Sequence, residues 1–140
     1  MESMAAQKPL ELILARNLLT SISTPAFLVD ETGALVFYNE AAGALLGRPF
    51  EQAGRMTPEE WTATYGPIGA DGKPFRLDDL PTTEAIRKGR PAHAAFRIRS
   101  VGGEEHEIES SAFPIVASEE GSSGAMIFFW PADNGSRESR

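Results

Sequence analysis

Residues 92–115 read Ala92-His93-Ala94-Ala95-Phe96-Arg97-Ile98-Arg99-Ser100-Val101-Gly102-Gly103-Glu104-Glu105-His106-Glu107-Ile108-Glu109-Ser110-Ser111-Ala112-Phe113-Pro114-Ile115. In the first part Ala94, Phe96 and Ile98 alternate with Ala95, Arg97 and Arg99, the period of a strand with one buried face. Gly102-Gly103 turns the chain. The return segment puts Glu105, Glu107 and Glu109 on one side and His106, Ile108, Ser110 and Ala112 on the other. With Val101-Gly102-Gly103 as the loop, Arg97 faces Glu107, Arg99 faces Glu105 and Phe96 faces Ile108. A slip of one residue would set Arg97 against Ile108, so the pattern specifies its own pairing.

Toward the C-terminus, Gly121–Gly124 is another turn, and Ala125–Trp130 is apolar on both sides, which suits an interior strand. Toward the N-terminus, Ala26–Asp30 and Ala34–Tyr38 flank Glu31-Thr32-Gly33 and predict a hairpin, with Gly33 supplying positive φ. Three short helices follow. Asn39 caps Glu40–Leu46, which Gly47 and Pro49 stop. Thr57-Pro58-Glu59-Glu60 is a capping box opening a helix that Gly66-Pro67 ends. Asp71-Gly72 marks a loop, and Asp78 or Asp79 begins the third helix, with Pro81 in its first turn, running through Ile86 to Gly89. The predicted fold is α+β: a five-stranded antiparallel sheet with short helices on one face and an N-terminal helix. The expected partition is a disordered N-terminus over 1–8, the N-terminal helix within 9–24, a domain over 25–132 and a disordered tail over 133–140.

The N-terminal helix, Pro9 to about Ser23, has two apolar faces. Leu10, Leu14, Leu18 and Ile22 form one stripe at i, i+4 spacing; Leu12, Ala15 and Leu19 form the second. One stripe suffices to dock it on its own domain. The other is then available to a second subunit, which predicts a homodimer through this helix.

The chain has 140 residues, enough for one domain, and 41% hydrophobic residues supply a core without staples. With 13 Lys+Arg against 20 Asp+Glu the net charge is −7 and the pI is near 4.8, so nucleic acid and anionic membranes are poor partners. Zero cysteines exclude disulfides, zinc-thiolate sites, iron–sulfur clusters and thiol nucleophiles. The longest apolar stretch, Ala125–Ala132, falls far short of the ~20 residues of a spanning helix, and no secretory signal precedes the first helix; a cytoplasmic protein is expected.

From Leu18 to Trp130 the chain resembles a PAS domain, the small sensory fold of bacterial signalling proteins. The resemblance is carried by Ala26-Phe27-Leu28-Val29-Asp30 with Gly33, by Val36-Phe37-Tyr38-Asn39-Glu40-Ala41-Ala42 ending in Leu46-Gly47, by the late helix Thr82–Gly89, by the long hairpin reaching Ala112-Phe113-Pro114-Ile115, and by the strand after Gly124. It implies signal sensing and protein–protein interaction, often as a dimer through the N-terminal helix and the outer sheet face. The chain departs from several subfamilies. Flavin-adduct and photoactive-yellow-type members need a cysteine, haem-sensing members carry a histidine on the late helix, and citrate-type members use basic and polar pocket residues with no match here. No cofactor is therefore expected.

His93 and His106 are the only histidines. In the register above His93 lies on the charged outer face and His106 on the apolar inner face near the hairpin tip, so they do not meet. Glu104, Glu105, Glu107 and Glu109 share carboxylates that a hard cation could use, but Arg97 and Arg99 answer them, which favours a salt-bridged sheet face and no metal. There is no Gly-x-Ser-x-Gly elbow, phosphate loop or dinucleotide fingerprint, and no catalytic constellation. Trp61, Tyr65, Phe75, Phe96, Phe128 and Trp130 come from elements expected to face the space between sheet and helices. Such rings stack on a planar ligand or fill a core, and the aromatics alone do not separate the two.

The expected function is a non-enzymatic sensory or interaction module. It would bind a small apolar or aromatic ligand through Trp61, Tyr65, Phe75, Ile86, Phe96, His106, Ile108 and Phe128, and act on a signalling partner. The rivals are a small cone-shaped α+β enzyme, which requires a His–carboxylate pair inside the pocket, and a bare dimerisation module, which requires a filled core. Nothing after the last strand reads as an output domain, which suits a stand-alone regulator and a piece of a longer protein equally.

Overall fold

A computed structural model describes residues 10–69, 71–73, 75–118 and 121–132. Its helices are α1 (Leu10–Thr20), α2 (Glu40–Leu46), α3 (Phe50–Ala53), α4 (Pro58–Tyr65) and α5 (Pro81–Lys88), with a 3₁₀ turn at Leu77–Asp79. The strands are β1 (Ala26–Asp30), β2 (Leu35–Tyr38), β3 (Ala92–Arg99), β4 (Glu105–Ser118) and β5 (Gly121–Pro131). They form one antiparallel sheet in the order β2-β1-β5-β4-β3. The expected ends at 1–8 and 133–140, and the start of the first helix at Pro9, lie outside the described residues.

The β3–β4 register is the one the charges dictate: Arg97 opposite Glu107, Arg99 opposite Glu105, Phe96 opposite Ile108. The ion pairs are not all straight across. Glu105 holds both arginines, Arg99 at 3.1 Å and Arg97 diagonally at 3.5 Å, while Arg97 also donates to Gly69 O at 3.3 Å. The β1–β2 loop is built on Asp30, whose Oδ1 accepts from Thr32 N at 2.9 Å, Thr32 Oγ1 at 2.6 Å and Ala34 N at 3.1 Å. Arg55 reaches Oδ2 at 3.1 Å. Burial pushes the Asp30 carboxyl up, but these hydrogen bonds outweigh it and hold the group below its ordinary value.

Two helix starts differ from expectation. The last helix begins at Pro81 rather than Asp78 or Asp79, because the proline ring forces Leu80 into an extended conformation, φ −67° and ψ 141°. The aspartates occupy the preceding 3₁₀ turn. The short α3, after Pro49, has no side-chain cap, and no local signal predicted it.

Alternate residues sort to two faces. Inward, toward α2–α5, point Phe27, Val29, Phe96, Ile98, Ile108, Ala112, Ala125, Ile127 and Phe129. Outward, beneath α1, lie Ala26, Leu28, Met126 and Phe128, onto which α1 docks Leu12, Ala15 and Leu19. Asn39, 2% exposed, fastens these layers. Its Oδ1 caps α2 through Ala42 N at 3.0 Å and holds Ala26 N at 3.1 Å. Its amide nitrogen is shared among Leu19 O, Ile22 O and Thr24 O at 3.1, 3.2 and 2.9 Å, where α1 runs into β1.

Candidate functional site

The space between sheet and helices is largely filled by rings. Phe27 stands at its centre, with centroids 5.2 Å from Phe129, 5.6 Å from Tyr38, 6.1 Å from Trp61 and 6.4 Å from Tyr65. The edge-to-face and tilted packings among them are those the ring quadrupoles favour. What remains is a cavity of about 40 Å³, close to the ~30 Å³ a single water occupies and well below the ~300 Å³ of the smaller ligand pockets. The sheet contributes Ile98, Ile108, Ile127 and Phe129 to its wall, and the helices contribute Trp61, Tyr65, Leu80 and Thr82. An open groove of about 320 Å³ lies outside, between α4 and α5, and shares Trp61, Leu80 and Thr82 with the cavity.

The polar ends of the large rings are turned to other tasks. Trp61 Nε1 donates to Gly33 O at 2.9 Å, pinning α4 to the first hairpin. The Tyr65 hydroxyl accepts from Arg48 Nε at 3.0 Å and meets the Tyr38 hydroxyl at 3.4 Å, while Tyr38 donates to Arg48 O at 2.8 Å. Burial, and then the contact with Tyr65, raise the Tyr38 phenol above its ordinary range, so it stays neutral. The hydrogen bond to Tyr65 raises Arg48 further. A wall whose polar atoms are committed in this way selects for apolar matter.

Of the sequence-predicted ligand residues, Trp61, Tyr65, Phe96 and Ile108 line the cavity. Phe75 packs edge to face behind Phe96 at 5.5 Å, outside the wall. Ile86 packs on the core and lines the outer groove. His106 pairs with Ile98 on the inner face, but it is not in the wall, and its buried Nε2 has no hydrogen-bond partner. Phe128 is corrected outright: it lies on the outer face, its ring 6.0 Å from that of Phe113, and Trp130 is beside it, near His93. The residues facing inward are Ile127 and Phe129. A strand apolar on both sides carries no alternation, so its parity was not legible; Ile98 shares the Phe96 face and could have been named from the pattern.

The acid/base pair the enzyme alternative needs is not formed at His106. The histidine–carboxylate contact present, His93 Nε2 to Glu109 Oε1 at 3.7 Å, lies on the outer face. Among the described residues no group of three or more His, Asp or Glu is placed to hold a metal ion, and no helix is long and apolar enough to cross a membrane.

On the outer face, α1 covers only part of the sheet. Leu10, Leu14 and Leu18 are 64%, 57% and 52% exposed, whereas Leu12, Ala15 and Leu19 are buried. Ile22, the fourth residue of the expected stripe, packs partly against the cluster beneath α1. Ile13, Phe113, Val116 and Trp130 add further exposed apolar surface.

The chain matches no protein-family model, and no curated protein is significantly similar to it. Its resemblance to solved structures is extensive. The PAS domain of a protein from Colwellia psychrerythraea superposes with a TM-score of 0.62 at 17% identity, over 87% of this chain and 98% of that one. A LOV protein of Rhodobacter sphaeroides gives 0.68 at 13% identity, over 94% and 72%. VqmA bound to DPO gives 0.62 at 17% identity, over 90% and 60%.

Proposed function

The chain has the PAS fold, and we propose that it serves as a non-enzymatic sensory and interaction module. In this reading the inner cavity admits a small apolar ligand, and the outer face pairs two copies and presents them to a signalling partner. The observation that carries it is the exposed stripe Leu10, Leu14 and Leu18 on a helix whose other face is buried. A chain with net charge −7 has polar residues enough to solvate a helix, and three exposed leucines in register mark a surface meant to be covered. The ligand half of the reading rests on the carbon-lined cavity and on a neighbour of the same fold, VqmA, that was solved bound to DPO.

Light scattering on the full chain tests the pairing. The expected result is a dimer that the double substitution Leu14→Glu, Leu18→Glu converts to a monomer with an unchanged far-UV spectrum, since neither side chain contributes to the core. A monomeric wild type at high concentration would remove the proposal.

A further inference from the structure

The chemistry of the inner cavity is set by what its wall withholds. Trp61 Nε1 is bonded to Gly33 O and the Tyr65 hydroxyl to Arg48 Nε, and the wall presents almost no polar surface. No Lys, Arg, His, Asp or Glu lines it. His106 Nε2, the buried side-chain nitrogen left without a hydrogen-bond partner among the described residues, lies outside it. A ligand with a hydrogen-bonding group would give up its bonds to water here and find no replacement. Apolar chambers of this kind stay dry.

Size sets a second limit. An apolar cavity of about 150 Å³ holds one benzene. In proportion, about 40 Å³ takes about two heavy atoms. Rings are excluded for a further reason: Phe27 holds the centre of the layer, with Phe129, Tyr38, Trp61 and Tyr65 packed around it, so the protein's own rings occupy the stacking positions an aromatic ligand would need. The wall is nevertheless thin on two sides. Trp61, Leu80 and Thr82 are shared with the groove between α4 and α5, and Phe96 and Ile108 with a second groove, of about 360 Å³, that Ile68, Ala95 and Arg97 also line. A single layer of side chains parts the cavity from each.

We infer that the cavity is a site for an uncharged, apolar molecule of about two heavy atoms with no hydrogen-bonding group, the class of dioxygen and ethylene. The inference rests on the ligand-sensing reading above and names the ligand class. It sets aside the ring-shaped ligands that the number of aromatic residues would suggest, since those residues fill the space themselves.

Methyl-resolved NMR titration of the full chain with ethylene, methanol and benzene tests both limits. Ethylene is expected to shift the methyls of Ile98, Ile108 and Ile127 saturably. Methanol, which has the same number of heavy atoms, and benzene are expected to leave them unmoved at the same concentration. Ile98→Phe, which puts a ring into the chamber, should abolish the ethylene response at Ile108 and Ile127. Methanol entering as readily as ethylene overturns the apolar requirement, and benzene entering the wild type overturns the size limit; in both cases the ligand-sensing reading stands. An ethylene response that survives in Ile98→Phe puts the molecule elsewhere and overturns the site. Exclusion of all three probes overturns the inference and the ligand-sensing reading together. If Ile98→Phe does not fold, the wild-type contrast among the three probes decides.

Discussion

The two faces of the sheet are finished to different degrees. Inside, Phe27, Tyr38, Trp61, Tyr65 and Phe129 interlock, their polar ends are bonded, and little empty volume is left. Outside, α1 buries one of its faces and leaves Leu10, Leu14 and Leu18 in contact with solvent, and Phe113 and Trp130 are exposed as well. The inner layer is complete within one chain. The outer layer keeps apolar side chains at its surface, and the proposed function assigns them to a partner.

The contrast predicts a split between two leucine-sized truncations. Ile108→Ala, at a position 2% exposed in the inner core, should cost about 2–5 kcal/mol in denaturant unfolding, transfer and cavity costs combined. Leu14→Ala, under conditions where the chain is monomeric, should change stability by less than about 0.5 kcal/mol. Comparable losses at both positions would mean that the outer stripe is part of the fold. Next in size is Asn39→Ala, which strips both layers of their common fastener. It abandons the capping bond, the Ala26 amide and three carbonyls, and a loss of about 2–3 kcal/mol is expected, with hydrogen exchange accelerated in α1 and α2 together. Acceleration in α2 alone would reduce Asn39 to a local cap.

The smallest effect belongs to Asp30, at the rim shared by the faces. Its carboxyl titrates below the ordinary value in the folded chain, so the unfolded chain binds the proton more readily. The stabilisation is fully present above the ordinary carboxylate pKa of about 3.9 and is lost as pH falls through the lower folded value. Asp30→Asn should flatten this acid limb, by less than about 1 kcal/mol given the exposure of Arg55. An unchanged acid limb in the variant would assign it to other carboxylates.

Legibility followed the same division. Where one face is wet the sequence alternates, and the β3–β4 register could be read from Arg97, Arg99 and their glutamates to the residue. Where both faces are apolar, as in Ala125–Trp130, the alternation disappears, and Phe128 was placed on the wrong side for that reason. Local chemistry was readable too: the capping box at Thr57 and the cap at Asn39 need only neighbours in sequence. The rest of Asn39's role depends on Leu19, Ile22, Thr24 and Ala26, which reach it only through folding, and nothing in the order of residues marks them as its partners. The place of the cavity was legible, since Trp61, Tyr65, Phe96 and Ile108 line it, but its size was not, because a volume this small is the remainder after many rings have packed.

β5 runs through the middle of the sheet, with Ile127 and Phe129 in the wall of the chamber and Phe128 between them on the reverse side. Whatever nudges the first two drags the third along by covalent bonds. Under the proposed function, a message from occupant to partner would have no corridor to travel: it would cross only the thickness of a single ribbon.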